Sequence, residues 1–129
     1  MIINKTKLEY RFMFEKVHDW DFTRKVLNSQ GLILLNFWTS WCDECQSVSK
    51  HLCEILSRAG NKVQIFKTDW DSQRKLSEKL NVYGVPTLLL FKKGKLIRRY
   101  SGVLTTEELL KIIKKNSELD FISNGVKNL

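Results

Sequence analysis

One proline, six glycines and three cysteines are spread over 129 residues, and each scarcity excludes a class of protein. So little proline and glycine leaves no low-complexity linker between domains, and with no internal repeat one continuous fold is expected. Three cysteines are too few, and odd in number, for a disulfide-stapled secreted scaffold. No apolar run approaches the roughly 18 residues that a membrane-spanning helix needs, so no membrane partner is expected. The N-terminal stretch MIINKTKLEYRFMFEK lacks the apolar core of about seven residues that marks a secretory signal, and Glu9 and Glu15 are out of place in a transit peptide. A cytoplasmic protein is expected, with an organelle interior left open, where cysteines stay as thiols unless they do redox work.

What is present points to one packed domain over residues 1–129. The chain is 43% hydrophobic, with four tryptophans, three tyrosines and seven phenylalanines, enough for a single core at this length. Tyr10, Phe12 and Phe14 alternate with Arg11, Met13 and Glu15, the period of a half-buried strand. Asp21 is expected to cap a short helix running to Asn28, before Gly31. Leu32 to Trp38 is a nearly continuous apolar run, as in a strand covered on both faces. The period then changes: from Cys42 to Ala59 the residues Cys45, Val48, Leu52, Ile55, Leu56 and Ala59 share one helical face, ended at Gly60-Asn61. Val63 to Lys67 reads as a second central strand, and Ser72 to Leu80 as a helix with Leu76 and Leu80 inward. Thr87 to Phe91 and Leu96 to Tyr100 flank the turn Lys92-Lys93-Gly94-Lys95. Thr105 and Glu108 have capping-box spacing, ahead of a helix with Leu109, Ile112 and Ile113 as its buried stripe and Lys111, Lys114 and Lys115 toward its negative end. The order βαβα then βαββα describes a mixed sheet with helices on both faces.

Trp41-Cys42-Asp43-Glu44-Cys45 falls at the junction of a central strand and the long helix. Unpaired N–H groups and a partial positive charge at a helix N-terminus stabilise a thiolate there, and the thiolate is the species that attacks disulfides. Cys45 comes round toward the first sulfur on the core side. Cys42 is therefore the natural nucleophile and Cys45 the thiol that resolves a mixed disulfide.

FWTSWCDEC, VYGVPTLLLFKKGK and the following Gly102, in that order and spacing, make residues 10 to 116 resemble the thioredoxin family. The resemblance implies a thioredoxin-like α/β fold, with a central mixed sheet of about five strands flanked by about four helices. It implies thiol–disulfide exchange, with disulfide-containing proteins as substrates and an external reductase to restore the dithiol. No cofactor, no metal and no nucleic-acid partner are expected, and a monomer is. Pro86, the one proline, resembles the family's cis-proline facing the cysteines, with the Val85 backbone pairing with a substrate strand. Trp41 resembles the tryptophan beside the nucleophile and Trp38 the one packed beneath. Gly84 and Gly102 resemble parts of the docking surface, and Lys67 a buried lysine near the resolving cysteine.

Two departures stand out. Asp43-Glu44 occupies the place of the usual Gly-Pro dipeptide, and two carboxylates beside a developing thiolate oppose it. The expectation is a Cys42 pKa above that of a Gly-Pro member, a more reducing couple, and poor use of anionic glutathione. Asn36 stands where many members carry a buried aspartate; a carboxyl can take up and shuttle the proton of the resolving thiol, whereas an amide can only hydrogen-bond. Both departures favour a rival reading, a docking or assembly module with weak turnover, to which the residues through Leu8 and from Leu119 to Leu129 would contribute.

Other features have plainer readings. Cys42 and Cys53 would lie about 16 Å apart on one helix, too far for a shared zinc ion or a disulfide. Cys53 reads as a partly buried filler, His51 as a surface helix residue, and Trp70 as either packing or substrate contact. The formal charge of +8 gathers at Lys92, Lys93, Lys95, Arg98 and Arg99. With only Tyr100 as an aromatic neighbour, this group is no nucleic-acid platform. The group reads first as a solvated hairpin and helix surface, and steering of an acidic protein partner is the functional use it would otherwise have.

Overall fold

The computed structural model describes residues 13–127, with side chains as far as Ser117. Five strands form one mixed sheet in the order β1-β3-β2-β4-β5. They are β1 (Glu15–Lys16), β2 (Leu32–Trp38), β3 (Gln64–Asp69), β4 (Thr87–Lys92) and β5 (Lys95–Ser101). Strand β2 runs parallel to β3 and antiparallel to β4, and β5 completes a hairpin with β4. The helical elements are α1, a single π-helical turn (Thr23–Leu27), α2 (Asp43–Ala59), α3 (Arg74–Lys79) and α4 (Thr106–Lys127), with a 3-10 turn, Gly60–Lys62, directly after α2. This is the thioredoxin-like α/β architecture.

The near-continuous apolar run of β2 is buried on both faces because alternate residues feed two cores. Leu32 and Leu34 join Ile65, Leu88 and Leu90 under Val48, Leu52 and Ile55 of α2 and Leu109 and Ile113 of α4. Ile33, Leu35 and Phe37 join Phe66, Leu89 and Phe91 on the opposite face, against Val17, Phe22, Val26, Leu76 and Val82. Burying a side chain of this size contributes about 1.5–3 kcal/mol before entropy is counted, so the central three strands dominate the stability.

Several boundaries differ from the sequence expectation. Of the strand expected over Tyr10 to Phe14, Tyr10 and Phe12 lie outside the described residues, and the strand observed is Glu15–Lys16, with Phe14 buried just ahead of it. It is an edge pair, Glu15↔Phe66 and Lys16↔Lys67, so charged residues serve there and the alternation of aromatics misplaced it. Asp21 does not cap α1. Its buried carboxylate instead accepts from the His18 N–H at 2.7 Å and pairs with Lys25 at 2.9 Å. Leu56 belongs to the border of the α2 stripe and is exposed, because Val48, Leu52, Ile55 and Ala59 already fill the face that meets the sheet. Helix α3 starts at Arg74, two residues later than Ser72, and its start is held from elsewhere: Asp19 Oδ1 accepts from the Leu76 N–H at 2.7 Å.

At α4 the Thr105 hydroxyl accepts from the Glu108 N–H at 3.2 Å while the Glu108 carboxylate receives the Thr105 N–H and hydroxyl. The capping box is therefore made. The helix continues to Lys127, so Lys111, Lys114 and Lys115 lie in its middle and not near its negative end. The β4–β5 turn places Lys93 and Gly94 at φ 53° and 77°, the double positive φ of a tight hairpin. A Cβ on Gly94 would run into the Leu27 carbonyl oxygen, which excludes every other residue. Among the described residues no helix is long and apolar enough to cross a membrane.

Candidate active site

Strand β2 ends at Trp38, and three residues later the chain enters α2 through Trp41 and Cys42. Cys42 has extended backbone angles, the geometry of an N-cap, and its Sγ accepts from the Cys45 N–H at 3.2 Å. Cys42 and Cys45 are joined as a disulfide with Cα atoms 5.3 Å apart. The two sulfurs are not equivalent: Cys45 is 1% exposed and packs toward the core, whereas Cys42, at 8%, keeps the outer position. The N–H donor aimed at Cys42 favours its ionised form whenever the pair is reduced. Asp43 and Glu44, in the first turn of α2, are both exposed.

Trp41 stands beside the disulfide, 65% exposed, and its indole N–H donates to Asp71 Oδ2 at 2.7 Å. Asp71 also faces Arg74 at 3.6 Å, and the Arg74 guanidinium lies 4.3 Å over the Trp70 ring. Trp70 in turn donates its indole N–H to the Val82 carbonyl at 2.9 Å. Asp71 was not among the residues singled out from sequence; one acid in a polar turn carries no signal that a tryptophan 30 positions earlier reaches it.

Beneath this surface, Asn36 and Lys67 face each other across β2 and β3 and are 1% and 3% exposed. The Lys67 ammonium lies 5.1 Å from the Trp38 ring centroid. Asn36 Oδ1, Trp38 Nε1, Thr39 Oγ1 and Gln46 Oε1 are buried with no hydrogen-bond partner among the described residues. Buried polar atoms without a partner are unusual in an interior.

The Val85–Pro86 peptide is cis. Gly84 to Pro86 line a groove of about 380 Å³ together with Glu44, Tyr83, Arg99 and Gly102. The groove thus brings one residue of the acidic dipeptide to the same surface as the proline loop. Gly102 has φ 86° and its N–H donates to the Pro86 carbonyl at 3.1 Å, so the turn after β5 braces that loop. Tyr83 and Arg99 were not picked out as site residues from sequence. Arg99 was counted only with the hairpin cations, because the strand period does not reveal that it reaches the end of α3.

The family model described as Thioredoxin matches residues 13–115. The chain belongs to the thioredoxin family. It is 33% identical over 100 residues to the thioredoxin of Haemophilus influenzae, covering 78% of this chain and 94% of that protein. It is 33% identical over 103 residues to the thioredoxin of Listeria monocytogenes, covering 80% and 98%. With the thioredoxin of Bacillus subtilis it shares 31% over 101 residues, 78% of this chain and 95% of that one. Family membership and the Cys42–Cys45 pair make it a thiol–disulfide oxidoreductase.

The remaining candidates of this thioredoxin-family chain lie away from the disulfide's chemistry. Cys53 is half-buried against the α2–α4 core and outside the disulfide. His51 is not a plain surface residue: the Thr106 N–H donates to its Nδ1 at 3.1 Å, with the Thr106 hydroxyl 2.8 Å from the same nitrogen. It ties α2 to the start of α4. No cluster of metal-ligating side chains occurs among the described residues. Lys92 reaches the Asn116 carbonyl at 2.6 Å, so part of the basic hairpin anchors α4.

Proposed function

We propose that the protein is a protein-disulfide reductase. In its reduced form the Cys42 thiolate attacks one sulfur of a substrate disulfide, forming a mixed disulfide and releasing one substrate thiolate. Cys45, once deprotonated, attacks Cys42 Sγ. The mixed disulfide breaks, the second substrate sulfur leaves, and the Cys42–Cys45 disulfide forms. Two electrons pass to the substrate, and the protons of the dithiol end on its two thiols. An external reductase returns two electrons to complete the cycle, in the cytoplasm on this reading. The chain acts as a monomer with no cofactor.

The observation that carries this reading is the asymmetry of the pair: the outer sulfur receives a backbone N–H at the start of α2 while the inner one is fully buried. A thiolate that is stabilised and the less deeply buried of the two suits attack, and a fully shielded partner suits resolution. Trp41 and the Gly84–Val85–Pro86 loop then serve as the docking surface, with the Val85 backbone pairing with an extended substrate segment and Gly102 supporting the loop. Asn36 and Lys67 support the inner thiol from below.

Dithiothreitol-driven reduction of insulin, with Cys42→Ser as the control, tests the proposal. Turnover well above that variant is expected. Turnover no better than the variant overturns it and favours a docking module instead, a reading that the buried Asn36 amide in place of a carboxyl makes the natural second choice.

A further inference from the structure

The groove beside Pro86 has charges of opposite sign in fixed positions. Arg99 is exposed, yet its guanidinium is not loose: it donates to the Asn81 carbonyl at 3.0 Å and to the Leu80 carbonyl at 2.6 Å. Those carbonyls end α3, where Asn81 turns the chain at φ 56°. Two of the five N–H donors of an arginine are thereby used, and the side chain is held without being buried. Tyr83 is 78% exposed and also tethered, its hydroxyl donating to Asn81 Oδ1 at 2.9 Å. Glu44 lines the same groove from the first turn of α2, one residue before Cys45. An exposed arginine or tyrosine normally loses rotamer entropy when it grips a partner. Here the local hydrogen bonds have already removed most of that freedom.

We infer that this groove selects protein disulfides whose extended flanking segment carries an acidic residue, and that Arg99 is the residue that reads it. The inference rests on the proposed disulfide-reductase reading and names its substrate class. Glu44, adjacent to the cysteines, sets the direction: it repels an acidic side chain close to the reacting sulfur, and Arg99 attracts one farther along the segment. Tyr83 supplies a rigid apolar face over which the segment lies. The overall charge of +8 draws acidic partners in from solution, and the groove then discriminates among them.

The test uses the full chain and a set of synthetic peptides, each closed by one disulfide. A single Glu, Gln or Lys is moved along an otherwise neutral flank, and kcat/KM is measured for each peptide. One or two adjacent flank positions are expected to favour Glu over Gln by about fivefold and to disfavour Lys, as for a preorganised but exposed ion pair. The preference should shrink in high salt, disappear in Arg99→Gln and turn toward Lys in Arg99→Glu. Because Arg99 also holds the end of α3, thermal unfolding of each variant is recorded, and the peptide scan on the unaltered protein stands without them. Equal rates for Glu, Gln and Lys at every position overturn the inference while leaving the reductase reading intact. A preference that persists unchanged in Arg99→Gln overturns the assignment to Arg99. If the neutral peptide is not reduced above the Cys42→Ser level, the reductase reading falls and the inference with it.

Discussion

Trp41 and Asp71, 30 residues apart, are joined by a 2.7 Å hydrogen bond from the indole N–H to the carboxylate. The bond fixes an otherwise exposed ring beside Cys42, and Asp71 is itself steadied by Arg74. A docking surface must hold its aromatic side chain in one orientation if substrate is not to supply the ordering entropy. Asp71→Ala is therefore expected to lower kcat/KM for insulin reduction severalfold and to raise the mobility of the Trp41 ring. Asp71→Asn, which keeps an acceptor, should restore most of both. Time-resolved fluorescence anisotropy, with Trp20, Trp38 and Trp70 replaced by Phe, reads the mobility. An unchanged anisotropy in Asp71→Ala would show that packing alone holds the ring.

Asn36 lies across from Lys67 with its Oδ1 unpartnered among the described residues. An amide at this point accepts or donates hydrogen bonds but cannot take up the proton of the inner thiol. Asn36→Asp introduces a proton acceptor opposite the buried Lys67. Severalfold faster turnover in the insulin assay is expected, because a positioned base accelerates proton transfer. A rate equal to that of the unaltered protein would mean that proton transfer does not limit the exchange.

The β2 run, the α2 stripe and the Thr105–Glu108 box were legible because each signal is local: a period, or a pair of residues three apart. The Cys42–Cys45 pair was legible for the same reason. What could not be read were side chains that act across long separations. Asp71 reaches Trp41, Asp19 caps α3 at Leu76, and His51 meets Thr106, over 30, 57 and 55 positions. Asp21 shows a subtler failure. Its position ahead of a short helix fits a cap, yet the nearby Lys25 and the His18 N–H compete successfully for its carboxylate. The edge strand was misjudged because two residues pairing with β3 leave almost no period to detect.

Asp21 also yields a pH prediction. Burial alone would raise its pKa, but hydrogen bonds from the His18 backbone and from the Lys25 and His18 side chains overcome this and hold it below 3.8. A carboxylate with a depressed folded pKa contributes stability that is fully present above its unfolded value. That stability is lost as pH falls through the folded value. Lys25 mirrors it: its hydrogen bond to Asp21 raises its pKa above 10.5, so its contribution is whole below that value and is lost as pH rises through the raised one. Asp21→Asn is expected to destabilise the protein at pH 7 by about 1 kcal/mol, because Lys25 keeps Glu15 at 3.0 Å and an amide oxygen can still accept from the His18 N–H. The variant should also lose stability less steeply below pH 4 than the unaltered protein. Urea unfolding across pH 2–7 checks both, and parallel acid limbs would contradict the assignment.

The acidic dipeptide gives the sharpest test of how charge tunes the cysteines. The start of α2 offers Cys42 Sγ a backbone N–H at 3.2 Å, which favours the thiolate. Asp43 and Glu44 sit in the same turn, and their charges oppose it. Both carboxylates are exposed, so solvent weakens the repulsion without removing it. Neutralising them in the double variant Asp43→Asn/Glu44→Gln removes the opposition and leaves the N–H donor. The Cys42 pKa of the reduced protein is expected to fall, and the Cys42–Cys45 couple to become less reducing, because a stabilised thiolate stabilises the dithiol form. Alkylation rates against pH measure the first, and equilibration with a glutathione buffer the second. Raising the ionic strength should shift the unaltered protein toward the variant, as screening weakens the same repulsion. An unchanged or raised Cys42 pKa in the double variant would mean that the carboxylates act through the helix end, not on the sulfur.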